Sequence, residues 1–268
     1  MNDVIKRFWL WCNNSLDTTI LTIAVIIVTP LYTISLWLND TYWQKVTIVS
    51  IATLIVHHRL QSAPLWVMLH GTLIIIGFLL TFLALPIPWL FVLLCASMAA
   101  FTIHLTNWNS NLRTFGNFTF IPVLYLACEL NQELVEERLQ TALSFVPYMI
   151  YAILPVLFIS IYNHYYSYNK KEKSLIWYML QLQNKSMDYG KGISSIEPLI
   201  AITLAVSLSA LLVETEGVAK GQWLIWSSAS VITGEVATAS KKLRDRSIGV
   251  VLGVPIGIIP IAIINAVA

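Results

Sequence analysis

Long apolar runs separated by short polar turns recur along almost the whole chain, and this pattern constrains the fold more than any other feature. A membrane-spanning helix needs roughly 17–25 mostly apolar residues. The sequence predicts nine such spans, at about 17–38, 43–57, 64–84, 87–106, 114–129, 143–165, 197–214, 222–240 and 247–267. Span 43–57 is short, and span 114–129 is polar at its start. We therefore expect an all-α polytopic membrane protein with the lipid bilayer as its main partner.

The composition agrees with this class, since 57% of the residues are hydrophobic and only 11% are Asp, Glu, Lys or Arg. An average soluble domain is about 25% charged. These values exclude an ordinary soluble enzyme, a disordered protein and a nucleic-acid-binding protein. Motifs of serine hydrolases and zinc proteases are also absent from the sequence, so no enzyme activity is predicted.

The three cysteines, Cys12, Cys95 and Cys128, form no Cys-x-x-Cys pair, and two of them lie in apolar runs. Free cysteine is commonly buried as a small hydrophobic residue. The sequence therefore predicts no metal site, no disulfide framework and no cofactor.

The positions of the basic residues indicate the orientation of the spans, because Lys and Arg tend to stay on the cytoplasmic side. With the N-terminus inside and nine spans, all but three of the 16 Lys and Arg residues fall on the inside. The exceptions are Lys45, Arg138 and Lys220. The pattern predicts a cytoplasmic N-terminus.

The hydrophilic segment 166–196 divides the chain into a first part, 1–165, with six spans and a second part, 197–268, with three. Both parts contain an interfacial Trp, a short span, a basic turn and a Gly-bearing span in that order. Trp43 precedes Gly71 by 28 positions, and Trp223 precedes Gly249 by 26. We interpret 1–165 as a transmembrane repeat, 166–196 as a cytoplasmic linker and 197–268 as a partial second repeat. Repeats of this kind are common in transporters.

Residues 221–260 carry a more specific pattern. Gly221-Gln222-Trp223 opens a span, and the segment Arg246-Ser247-Ile248-Gly249 precedes Gly253 after a basic turn. This arrangement resembles the fusaric acid resistance, or aromatic acid exporter, family. In the first half, Tyr42-Trp43 and Gly71-Thr72 fit the same pattern, but Met68 stands where the family has an arginine.

The resemblance implies a bacterial inner-membrane transporter that exports small aromatic organic acids or toxic compounds, driven by the proton-motive force or by a gradient. It also implies a possible periplasmic adaptor. We further expect the chain to form an oligomer. The chain departs from the family because about thirty residues replace a large cytoplasmic domain. If the second part copies the first, three further spans are missing after Ala268.

Basic residues at the inner ends of spans are candidates for attracting small organic anions, since a focused positive field raises local anion occupancy. The alternative is ordinary anchoring of the cytoplasmic side. In the second half Arg246 is the leading candidate because it fits the family motif, and His57 and Arg59 occupy the corresponding turn of the first half. The candidates of the second half are Lys241, Lys242, Arg244 and Arg246.

Glu235 lies within a predicted span, where ionisable residues are costly and are functional candidates. It is therefore a candidate proton-coupling carboxylate, and pairing with Lys241 or Lys242 is the alternative. Tyr42, Trp43 and Trp223 are candidates for an aromatic lining, with an interfacial aromatic belt as the alternative.

Small residues at four-residue spacing let another helix approach closely. This reading applies to Gly249, Gly253 and Gly257, and Gly71 holds the corresponding place in the first half. The leading hypothesis is an exporter of small aromatic organic acids. An anion channel, and a non-transporting membrane subunit that needs a partner chain, are the alternatives.

Overall fold

The computed structural model describes residues 18–60, 63–108, 112–131, 137–168, 196–218 and 220–231, together with Ser247. Every regular element within these ranges is helical, which confirms the predicted all-α class. The helices are α1 (Thr18–Leu38), α2 (Tyr42–Lys45), α3 (Thr47–Leu60), α4 (Pro64–Ala84), α5 (Pro88–Trp108), α6 (Leu112–Asn131), α7 (Arg138–Tyr168), α8 (Ile196–Glu216) and α9 (Gln222–Val231).

Five helices contain a segment that is long and apolar enough to cross a membrane, as expected for a helical membrane protein. They are α1, α4, α8, most of α5 (Pro88–Thr106) and most of α7 (Arg138–Tyr166). The prediction of nine spans is therefore supported for five of them. The last predicted span, 247–267, lies outside the described residues except for Ser247, and the end of span 222–240 lies beyond Val231.

The predicted span 43–57 is divided at Val46 into the short α2 and the 14-residue α3. At about 1.5 Å per residue, α3 is shorter than the roughly 30 Å of a bilayer's hydrocarbon core. Its side chains are nevertheless mostly buried, because it packs against α1, α4, α6 and α7.

Helix α6 is long enough to cross a bilayer but less apolar than the five membrane-spanning candidates. This lower apolarity is tolerated because α6 contributes residues to two hydrophobic cores. Val123 and Leu126 belong to a core shared with α1, α3, α4 and α7. Phe120 and Leu124 belong to a second core shared with α5, α8 and α9. Because α6 is enclosed by protein on several sides, little of its surface must match lipid.

Tight connections fix several neighbouring helices as antiparallel pairs. Pro64 and Pro88 begin α4 and α5, where the missing backbone N–H of proline costs nothing. Arg138 at the start of α7 donates hydrogen bonds to the Phe82 carbonyl at 3.3 Å and to Asn131 Oδ1 at 2.6 Å. The end of α4, the end of α6 and the start of α7 therefore lie on the same side of the bundle. We call this the outer side, following the predicted orientation.

Candidate functional site

The turn after α1 is fixed by Asp40 on the outer side. Asn39 adopts a left-handed backbone with φ of 52°, which asparagine tolerates better than most residues. The Asp40 N–H donates to the Ser35 carbonyl at 3.1 Å, and the Ser35 hydroxyl donates to the Asp40 carbonyl at 2.7 Å. Asp40 Oδ1 accepts the Tyr42 N–H at 2.9 Å. These bonds set the direction in which α2 leaves α1.

Tyr42 and Trp43, two of the predicted lining residues, pack against α7. The Tyr42 ring lies 5.4 Å from Phe145, and the Trp43 ring lies 5.0 Å from Tyr148. The Tyr148 hydroxyl donates to Asp40 Oδ2 at 2.9 Å. Both oxygens of Asp40 therefore hold this aromatic cluster to the α1–α2 turn.

A cleft of about 440 Å³ opens beside this turn, where α1, α2, α3, α6 and α9 meet. We call it the outer cleft. It brings together three aromatic rings, one ammonium group, one carboxylate and several polar side chains. The lining residues are Tyr32, Thr41, Gln44, Lys45, Thr47, Ile48, Ile51, Tyr125, Glu129 and Trp223. Of the three predicted aromatic residues, the structure thus places Trp223 in the cleft wall.

One wall of the outer cleft joins α6 to α9. Gln222 is buried, and its Nε2 donates to Glu129 Oε1 at 3.1 Å. Next to this bond, the rings of Tyr125 and Trp223 lie 6.2 Å apart. Gln222 therefore positions the carboxylate, and the neighbouring residue on α9 supplies an aromatic surface.

Lys45, at the end of α2, also lines the outer cleft. Its Nζ lies 5.4 Å from the centre of the Tyr42 ring, a favourable cation–π distance. Lys45 therefore lines the cleft and also contacts Tyr42, a member of the aromatic cluster that packs against α7. The lining of the outer cleft therefore combines the positive charge of Lys45 with the negative charge of Glu129.

The predicted anion-attracting residues of the first half lie at the other end of α3. His57 is 7% exposed and packs inside the bundle, whereas His58 and Arg59 are exposed. Ten residues separate Thr47 in the cleft from His57, which is about 15 Å along the helix. The structure therefore does not bring His57 or Arg59 to the outer cleft.

Gly71 lies where α4 meets α7. A Cβ atom at this position would stand 2.6 Å from Ile153 Cδ1, so the two helices are in close contact at this point. The remaining predicted site residues lie outside the described part of the chain. They are Glu235, Lys241, Lys242, Arg244, Arg246, Gly249, Gly253 and Gly257.

The sequence does not single out Lys45, Tyr125 or Glu129 as site residues. Of these three residues, Lys45 carries a signal in the sequence, because it is one of only three basic residues predicted on the outside. Its proximity to residues 125–129 and 223 is a long-range relationship that helical periodicity does not reveal. Among the described residues, no group of His, Cys, Asp and Glu side chains could hold a metal ion.

Comparison of this chain with protein families, with characterised proteins and with solved structures finds no match. The resemblance of residues 221–260 to the fusaric acid resistance family therefore stays an interpretation of the sequence.

Proposed function

We propose that this chain is a membrane transporter that exports small aromatic organic acids, and that the outer cleft forms part of its path. The observation that carries the proposal is the grouping of Tyr32, Tyr125 and Trp223 with Lys45 in one cleft. Aromatic faces favour an aromatic ring by offset or edge-to-face packing. An ammonium group favours a carboxylate. The cleft volume lies within the roughly 300–1,000 Å³ typical of small-molecule sites.

The position of the outer cleft supports the same proposal. It lies between the starts of α2–α3 and of α9, the two spans that the sequence predicts as corresponding members of a repeat. Binding sites in transporters built from repeats are commonly found at the repeat interface. Under this proposal, the side of the path formed by α2 and α3 and the side formed by α9 meet at α6.

The remaining parts of the proposal rest on the sequence. Arg246 and its basic neighbours would concentrate anions on the inner side, and Glu235 is a candidate for proton coupling. The resemblance supports a bacterial inner membrane and a periplasmic adaptor, and an oligomer is part of the same proposal. If the Arg246→Ala variant transports at the wild-type rate, Arg246 takes no part in the mechanism.

The test is the movement of a panel of labelled aromatic carboxylates in inverted membrane vesicles that contain this chain. Vesicles prepared without the chain are the control. Accumulation that a proton uncoupler abolishes supports the exporter. Flux down a gradient that the uncoupler does not change supports an anion channel instead. Absence of flux from folded protein contradicts independent transport and favours a subunit that needs a partner chain.

A further inference from the structure

His70 is an ionisable residue enclosed within the helix bundle. It lies on α4, six positions after Pro64, and its exposed fraction is 0%. Its ring centre is 4.9 Å from that of Phe115 on α6, and the two planes are tilted by 54°. The backbone of Phe118 on α6 lies near the ring. Neither ring nitrogen, however, meets hydrogen-bond geometry with any atom of the described residues.

Packing alone does not explain a histidine at this position. A neutral imidazole carries one N–H donor and one acceptor nitrogen. Buried polar atoms normally have partners, and each exception calls for a physical explanation. A contact with the Phe115 face is at most a weak hydrogen bond and satisfies only one nitrogen. An apolar side chain of similar size would fill the same space without this cost.

The described residues of the helices packed on α4 supply no opposite charge at this depth. Their titratable groups toward the inner side are His57, His58 and Arg59 on α3, His104 on α5, Arg113 on α6, and His164 with neighbouring tyrosines on α7. The described carboxylate of these helices, Glu129, lies at the outer end of α6. Within the described part of the chain, a protonated His70 therefore has no carboxylate beside it to balance its charge, and water or an anion that reaches the ring would do so.

The closeness of the helices leaves little room for that water in the packed arrangement. A Cβ atom on Gly71, the next residue, would stand 2.6 Å from Ile153 Cδ1. On α6, a Cβ atom on Gly116 would stand 2.9 Å from the backbone of Thr102. Water can reach His70 only if α4 moves away from one of its neighbours, so protonation is linked to a movement of helices.

We propose that His70 is a proton-carrying site that exchanges its proton with water when α4 and α6 separate toward the inner side. There the charged ring gives its N–H proton to an entering water molecule, which leaves as hydronium, and the neutral ring takes a proton from hydronium when the helices separate toward the outer side. The Phe118 carbonyl is placed to accept a hydrogen bond from the charged ring after a small shift. This inference rests on the proposed transport function, because it gives the transporter a site that couples protons to helix movement.

The first test does not depend on transport. Hydrogen–deuterium exchange at the imidazole C2 position is measured by mass spectrometry for the full chain in lipid, between about pH 3 and pH 9, a range that covers the titration of exposed and of buried histidines. We expect His70 to exchange about tenfold more slowly than the exposed His104, yet with a sigmoidal pH dependence. No exchange at any pH, or a rate without a titration curve, would overturn the proposal.

The second test uses His70→Gln, which keeps hydrogen-bonding groups but cannot be protonated, with His104→Gln as the matched control. Benzoate flux into proteoliposomes is driven by a pH gradient of about one unit. Undissociated benzoic acid also crosses bare lipid, so the initial rate in protein-free liposomes is subtracted from every measurement. His70→Gln should lose the remaining gradient-driven rate but keep exchange of labelled for unlabelled benzoate, and His104→Gln should keep both. A full gradient-driven rate in His70→Gln contradicts the proposal. If the wild type moves no substrate, the proposed function fails, and the C2 exchange still decides whether His70 binds a proton.

Discussion

The Nε2 atom of Gln222 donates a hydrogen bond of 3.1 Å to Oε1 of Glu129, which joins the start of α9 to the outer end of α6. Glu129 and Trp223, the residue after Gln222, both line the outer cleft. Since α6 takes part in both hydrophobic cores, this bond ties a wall of the cleft to the centre of the bundle.

Gln222→Leu tests this link. Removing the amide leaves a partly buried carboxylate without its donor, so we expect the free energy of unfolding to fall by about 1–3 kcal/mol. The measurement is thermal or denaturant unfolding in detergent. In Glu129→Leu combined with Gln222→Leu, the loss should be smaller than the sum of the single losses, because each single change removes the same bond. Additive losses would show that the two side chains do not interact.

Tyr148→Phe tests the connection between α7 and the α1–α2 turn. It removes the 2.9 Å hydrogen bond to Asp40 Oδ2 and keeps the ring that packs on Trp43. We expect a loss of about 1 kcal/mol, at the lower end for a bond to a carboxylate because the site is near the surface. Tyr151→Phe is the matched control, since Tyr151 also lies on α7 and its ring also contacts Trp43, at 5.7 Å. Equal free energies of unfolding for the two variants would show that the hydrogen bond from Tyr148 to Asp40 does not stabilise the fold.

Gly116→Ala and Gly71→Ala should differ in how they can be rescued. At Gly116 the added methyl group meets the Thr102 backbone at 2.9 Å, whereas at Gly71 it meets the Ile153 side chain at 2.6 Å. We expect Gly116→Ala to destabilise the fold by about 1–3 kcal/mol, because two helices must move apart. Ile153→Val, which removes Cδ1, should restore much of the stability of Gly71→Ala and none of that of Gly116→Ala. The free energy of unfolding is measured for each glycine variant alone and combined with Ile153→Val. Rescue of both glycine variants would contradict this prediction.

Helix boundaries were predictable where a local signal coincides with the end of an apolar run. The predicted span 64–84 and α4 have the same bounds, and proline stands at the first position of that helix. Helix α7 begins at Arg138, five residues before its predicted span. Contacts of Arg138 with Phe82 and Asn131 hold this first turn in place, and such contacts are not visible in a sequence window.

The candidate site was predictable only in part, for a related reason. Trp223 stood out because an aromatic residue opens a span, whereas Lys45 and Glu129 resemble ordinary interfacial charges. Their common place in the outer cleft depends on how α2, α6 and α9 meet. His70 carried a local signal, an ionisable residue inside an apolar run. Its enclosure by α6, and the lack of a hydrogen bond from its nitrogens to any described residue, are tertiary properties.

The most direct test of the account compares two tryptophan variants in benzoate flux. Trp223 lines the outer cleft, whereas Trp37 on α1 is 85% exposed and contributes nothing to the cleft lining. Initial rates are measured across a range of benzoate concentrations in proteoliposomes that contain equal amounts of folded protein. We predict that Trp223→Ala raises KM by about tenfold, the equivalent of one aromatic contact, and that Trp37→Ala leaves it unchanged. The same KM in both variants would contradict the assignment of the outer cleft to the transport path.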